Sequence, residues 1–322
     1  MPDALGRAVS FISDPRLPLY YPLNRLRWDS LRSRMDRLDL GQNPELDLIF
    51  TVDVEYDYGS GGKGEAGCAS PFLKLAKGFF DKHGIKATLF VQGDLIQRLA
   101  GDIRALGASH EIGLHGYAHE QWGQSWFVKD PVPSPKERKE LISKSLAAFK
   151  AAGFQAPSSF RAPNMVIDPL SLGILKEAGF TADSSYPSYS GGGNAAALSH
   201  GLAEVPVSFD PKPVFGHSLR ARYVVFNTHN IVKKELDIVA AATRVAKAQI
   251  LADQKPHVML LCHPWEFFEP EMGPGDPSFG YSSPKNLSLL EDALESLKGS
   301  FRVRPKTLSD FVRSDFISAS QR

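Results

Sequence analysis

Two histidines four residues apart, His115 and His119, follow a short apolar run ending at Leu114. Upstream, Asp53 and Glu55 alternate at the end of a second apolar run, and His263 closes a third, Val258 to Cys262. Together they offer two imidazole ligands, a carboxylate ligand, a spare carboxylate and a spare imidazole. That set suits a metal hydrolase: three ligands with open positions, a base for water and an acid for the leaving group. On a helical turn, residues four apart project from one side with β-carbons about 5–6 Å apart, so both imidazoles can reach one ion. On a strand, residues two apart share a face, so Asp53 and Glu55 point the same way. Two acids ending a run that is apolar on both faces require a cation or a strong partner. Asp57 continues the alternation as a fallback ligand or base.

The elements that must position these residues alternate from about residue 47 onward. Apolar runs predict strands at 47–54, 86–91, 111–114, 159–161, 203–206, 222–227, 257–262 and 301–303. Helical patterns fall near 71–83, 94–106, 134–152, 169–178, 233–253, 285–298 and 307–314. Short apolar runs joined by helices predict parallel βαβ units, with the reactive residues at the C-terminal ends of strands, the face that carries the site in an α/β barrel. Residues 1–45 are set apart as an N-terminal extension packed on the barrel, with Trp28, Leu31, Met35 and Leu38 at helical spacing. Residues 46–322 form the catalytic domain.

Composition narrows the function classes. An apolar fraction of 43% supplies a sizeable core, and a net charge of +1 gives no electrostatic footprint for nucleic acid. The two cysteines, Cys68 and Cys262, form neither a disulfide framework nor a CxxC zinc pair. The Gly-rich stretches at 58–69 and 189–194 lack the spacing of phosphate loops. The start of the chain lacks the pattern of a secretory signal, and no run approaches the roughly 18 apolar residues of a membrane span. A cytoplasmic enzyme is the expectation, with homo-oligomerisation left open.

The motifs around these residues resemble the NodB-type polysaccharide deacetylase superfamily, in the branch whose first motif is Asp-x-Glu. Thr51 to Glu55 resembles the first motif, His115 to Glu120 the second, Phe160 to Pro163 the third, and Leu261 to Glu266 the fifth. Gly84 to Val91 and Glu204 to Val207 are also similar, and the likeness runs in order over roughly residues 47–313. It implies an α/β fold, a distorted (β/α) barrel of about seven strands, and hydrolysis of an acetamide or related C–N bond. It further implies that His115, His119 and Glu55 hold a divalent metal, foremost Zn2+, with Fe, Co, Ni or Mn also compatible with mixed nitrogen and oxygen ligands. Asp53 becomes the base, Arg161 the residue that orients it, and His263 the acid. The fourth motif is poorly marked, and Asp183 is taken as the acid that orients His263.

Tyr117, Trp122, Asn164 and Trp265 are the candidate substrate contacts, the aromatic rings as stacking faces for a sugar. The expected function is removal of an N-acetyl group from an amino sugar or polysaccharide. An amidase or cyclic-ureide hydrolase of allantoinase type and a noncatalytic carbohydrate-binding protein are the competing readings.

Overall fold

The first strand shows how this sequence places its chemistry. In β1 (Glu45–Val54) every residue after Glu45 is buried, as the near-continuous apolar run requires of a strand covered on both faces. The computed structural model describes residues 17–59, 65–125, 130–186, 194–215, 221–269 and 280–314. After α1 (Leu17–Met35) and β1, the chain runs through α2 (Ala69–His83), β2 (Ala87–Val91), α3 (Ile96–Leu106), β3 (Glu111–Leu114) and α4 (Pro135–Ala151). It continues with β4 (Ser159–Phe160), α5 (Pro169–Glu177), β5 (Ala182–Asp183), β6 (Ala197–Ser199), β7 (Leu202–Glu204), β8 (Val214–Phe215) and β9 (Ala221–Arg222). The last elements are α6 (Thr228–Val232), α7 (Ile238–Ile250), β10 (His257–Cys262), α8 (Asn286–Ser300), β11 (Arg302–Pro305) and α9 (Leu308–Val312).

The main sheet has the order β10-β1-β2-β3-β4-β5-β7-β6, with β11 paired to the start of β1. Its pairings are parallel except β6 with β7. The sheet curls into a distorted barrel whose gap is bridged by irregular backbone: Ser208 N–H donates to the Met259 carbonyl at 3.1 Å, and Leu261 N–H to the Phe226 carbonyl at 3.0 Å.

Strand alternation sorts side chains into two cores. Ile49, Phe90, Ala182, Ala203, Val205, Met259 and Leu261 fill the interior. Leu48, Phe50, Val52, Leu114, Phe160 and Leu260 face the helices, against residues such as Phe72, Phe79, Leu99, Phe149 and Leu294. Thr51, Asp53 and Glu55 follow the parity of Ile49 and turn inward. His115, Arg161 and His263 likewise come one residue after outward-facing Leu114, Phe160 and Cys262. The barrel mouth is therefore lined by the residues next in line after each strand.

The strand expected at 222–227 is replaced by a two-stranded ribbon of β8 and β9, with Asn227 making only an isolated bridge to Leu261. β5 and β6, of two and three residues, fall outside the strands expected from the sequence. α1 lies against α7 and β9 with Met35 buried; residues 1–16 of the proposed extension lie outside the described residues. Among the described residues no helix is long and apolar enough to cross a membrane.

One substrate candidate is reassigned here. Trp122 is 0% exposed and packs edge-on against Phe160, with ring centroids 5.0 Å apart. It belongs to the outer core and has no face to offer a sugar. Trp122→Ala is expected to cost about 3–5 kcal/mol by cavity formation, read as a lowered denaturation midpoint; a loss under about 1 kcal/mol would contradict this placement.

Candidate active site

The two histidines reach the site by a loop instead of a helix. Residues 115–119 form turns, with Gly116 at φ 67° and His119 at φ 64°. Both lie in the left-handed region, which reverses the chain so that the rings return to the same point. A β-carbon on Gly116 would sit 3.0 Å from Glu120 Oε1 and 3.2 Å from Pro163 Cγ. The Glu120 carboxylate holds the loop by accepting from the backbone N–H of Tyr117 at 2.9 Å, that of Ala118 at 2.7 Å and Trp122 Nε1 at 3.1 Å.

His115 Nε2 and His119 Nε2 each lie 2.9 Å from Glu55 Oε2. His115 Nδ1 is 2.9 Å from the Arg161 carbonyl, which can only accept, so Nδ1 carries the hydrogen. In the neutral ring, Nε2 then aims a lone pair at a carboxylate oxygen, a contact that a proton or a cation must relieve. The donor atoms of Glu55, His115 and His119 all lie within 4.8 Å of one another, and all three residues are buried. Two imidazoles and a carboxylate fit a divalent metal without selecting which one.

The electrostatics agree with that fit. Burial raises the Glu55 carboxyl, but hydrogen bonds from His115 and His119, once their rings carry the relieving protons, outweigh it and hold the group well below the ordinary carboxylate range. Burial lowers His119, yet its hydrogen bond to Glu55 and that negative charge carry it above the usual histidine value. Gly59 passes close by: a β-carbon there would lie 3.2 Å from Glu55 Oε1 and 3.4 Å from His119 Nε2. Asp57 is removed as a fallback ligand, because its carboxylate accepts from Cys68 N–H at 3.1 Å, at the start of α2.

Asp53 stands beside the cluster. Arg161 Nη1 donates to Asp53 Oδ1 at 2.7 Å, while Oδ2 lies 4.0 Å from both His115 Nε2 and His263 Nε2. The guanidinium is fully buried and also donates to Thr51 Oγ1, the Ser184 carbonyl and hydroxyl, and Met259 Sδ. Its Cζ lies 4.4 Å from the centre of the Phe90 ring.

His263 completes the opposite wall, with Nε2 3.8 Å from Glu55 Oε1. Burial lowers its pKa, but the hydrogen bond and charge of Glu266, then Glu55 and Asp53, raise it to about 9. The residue behind His263 is Glu266, not Asp183: Glu266 Oε1 lies 3.2 Å from His263 Nδ1, and Oε2 accepts from His263 N–H at 3.0 Å. Asp183 is paired in register with Phe160 and so turns toward the helices. There it accepts from Ser185 Oγ at 2.6 Å and hydrogen-bonds to Glu204. Burial raises both acids, Glu204 strongly, with the Asp183 charge adding to the rise at Glu204. A signal for Glu266 did exist in the sequence: Pro264 starts a turn, and a glutamate three residues after its cap reaches back to that cap.

The remaining candidates separate. Trp265 stacks on His263 at 5.0 Å and 22°, and the Tyr58 ring is tilted 43° to it with centroids 5.2 Å apart. Asn164 is partly exposed in the turn after Arg161, left-handed at φ 58°. The Tyr117 ring lies beneath Lys144 Nζ, 5.6 Å from its centre, and against Gly93. It faces α4 and lines no wall of the cluster.

Residues 52–182 match the polysaccharide deacetylase family, a span that includes Asp53, Glu55, His115, His119 and Arg161. A peptidoglycan deacetylase-like protein of Gibberella zeae is 27% identical, with 42% of each chain covered. A peptidoglycan deacetylase of Helicobacter pylori is 28% identical over 33% of this chain and 34% of its own. The matches thus span less than half the length of these relatives. A Mycobacterium smegmatis protein assigned as a polysaccharide deacetylase shares the fold with a TM-score of 0.58 at 18% identity, covering 88% of this chain and 94% of that one.

The raised His119 makes a testable statement about the metal-free protein. A histidine whose folded pKa is raised adds stability that is full below its unfolded value and lost as pH rises through the folded value. In chelator, wild type should exceed His119→Gln in melting temperature near pH 6 and lose that excess as pH rises beyond the ordinary histidine range. An excess that grows with pH would contradict the pairing.

Proposed function

We propose that this chain, whose residues 52–182 match the polysaccharide deacetylase family, hydrolyses the N-acetyl groups of an amino-sugar polymer. One observation carries the reading: Glu55, His115 and His119 converge, with Asp53–Arg161 on one side and His263–Glu266 on the other. A divalent metal held by Glu55, His115 and His119 supplies Lewis acidity, polarising the amide carbonyl and acidifying water.

The protein's own groups do the rest. Arg161 ties up Asp53 Oδ1 and leaves Oδ2 as the basic oxygen facing the cluster. Asp53 takes one proton from the attacking water as its oxygen bonds to the acyl carbon. An amine leaves poorly as an anion. His263, kept protonated by Glu266, gives its Nε2 proton to the departing nitrogen as the C–N bond breaks, yielding acetate and the free amine. Trp265 holds the imidazole plane, and Asn164 is the substrate contact nearest Arg161 in sequence.

Asp53→Asn and His263→Ala should each lower acetate release from N-acetylglucosamine oligomers by about 10²–10⁴-fold while retaining metal. His115→Ala should lose both metal and turnover. Full metal content in His115→Ala, or unchanged turnover in Asp53→Asn, would overturn the assignment; turnover of a cyclic ureide without acetate release would redirect it. Turnover should also fall as pH rises through the His263 pKa, which the surrounding carboxylates set at about 9 and a bound dication lowers. A rate that keeps climbing with pH would remove His263 as the acid.

A further inference from the structure

Glu266 is 1% exposed and far more firmly held than a carboxylate bonded only to His263. Its Oε1, the oxygen facing His263 Nδ1, also accepts from Tyr281 Oη at 3.0 Å. Its carbonyl accepts from Asn286 Nδ2 at 2.7 Å and from Ser283 N–H at 3.1 Å. Asn286 Nδ2 bonds the Tyr281 carbonyl as well, at 2.7 Å, so one amide ties the tyrosine to the glutamate. The Tyr281 ring in turn meets Trp265 at 6.0 Å and His229 at 4.3 Å, both edge-on. Tyr281 therefore touches both supports of His263: the carboxylate behind the ring and the indole stacked on it.

We propose that Tyr281 is a positioning residue for His263, acting through Glu266: its phenol fixes the carboxylate oxygen that fixes the imidazole. This rests on the reading of His263 as the proton donor. A carboxylate oxygen has two lone pairs in its plane, and with one given to Tyr281 Oη the other has a single direction left, toward Nδ1. In a buried site, where an unmade hydrogen bond is costly, such a chain fixes both members more firmly than the isolated pair. Because the phenol donates and is not itself ionised, it narrows the geometry of Glu266 without adding charge beside the ligand cluster. Asn286 then keeps the 281–286 segment from drifting relative to the turn that carries His263.

Tyr281→Phe removes one oxygen and retains the ring contacts. It should lower kcat about tenfold with KM and metal content unchanged, within the range expected when a general acid is misaligned. Combined with Glu266→Ala, the same change should cost less than about twofold, because the group it acts through is gone. Equal losses in both backgrounds, or no loss in either, would overturn the proposal.

A second measurement does not depend on turnover or on the double variant. In the full-length protein labelled with ¹⁵N-histidine, the Nδ1 proton resonance of His263, assigned by its loss in His263→Gln, should move upon Tyr281→Phe. An unmoved resonance would also overturn the proposal. If no substrate yields acetate but the resonance moves, the hydrogen-bond chain stands and the failure lies in the proposed reaction.

Discussion

Two carboxylates buried on one face of one strand set the terms for the rest of this molecule. Asp53 and Glu55 are 3% and 4% exposed. Two residues along a strand is about 6.6 Å, at which two unit charges repel by roughly 2.5 kcal/mol at an effective dielectric near 20. Neither acid keeps its charge inside a barrel unless it is compensated. The fold compensates them separately, Asp53 with the guanidinium of Arg161 and Glu55 with the rings of His115 and His119. That division gives two carboxylates different tasks: one is locked into a ligand set, the other keeps an oxygen available.

Compensation reaches further than the first partner. Arg161 is itself a fully buried charge, and its remaining donors are taken by Thr51, Ser184 and Met259 from three different segments. Ser184 lies between Asp183 and Ser185, and the Ser185 hydroxyl accepts from Ala162 N–H at 2.8 Å, next to Arg161. Asp183, accepting from the Ser185 N–H and hydroxyl, and Glu204, accepting from Tyr186 N–H, therefore steady the loop that completes the Arg161 shell. Asp183, expected from the sequence behind His263, serves instead as a brace for Ser185 and, through it, for Ala162.

Legibility in the sequence followed the physics of each element. β1, β2 and β10 are long enough to print apolar runs, and the residues that follow them were readable as site candidates. β5 was not: its two residues carry no period, and unlike the equally short β4 it has no Phe-Arg-Ala-Pro motif beside it. His115 and His119 were found by spacing, yet a spacing of four is shared by helices and by loops with left-handed residues, and only Gly116 hinted at the latter. Trp122 looked like a sugar platform because aromatic residues near a motif do both jobs; the two are distinguished by burial, which depends on Phe160 from a distant strand. Glu266 was within reach of sequence reasoning through its turn, whereas Tyr281, fifteen residues farther on, has no local pattern linking it to His263.

The neighbours of β1 carry a consequence for how such a chain is made. The N-terminal strand lies between β2 on one side and β10 on the other, with β11 beneath, so Asp47 pairs with both His257 and Arg304. During vectorial synthesis its hydrogen-bonding edge stays open until β10 has emerged, long after β1 itself. Long-range parallel pairing of this kind is slow to form and leaves an apolar edge exposed meanwhile. The wall that carries His263 and the keystone of the sheet thus arrive together, and a chain that stops short of β10 is prone to stick to its neighbours.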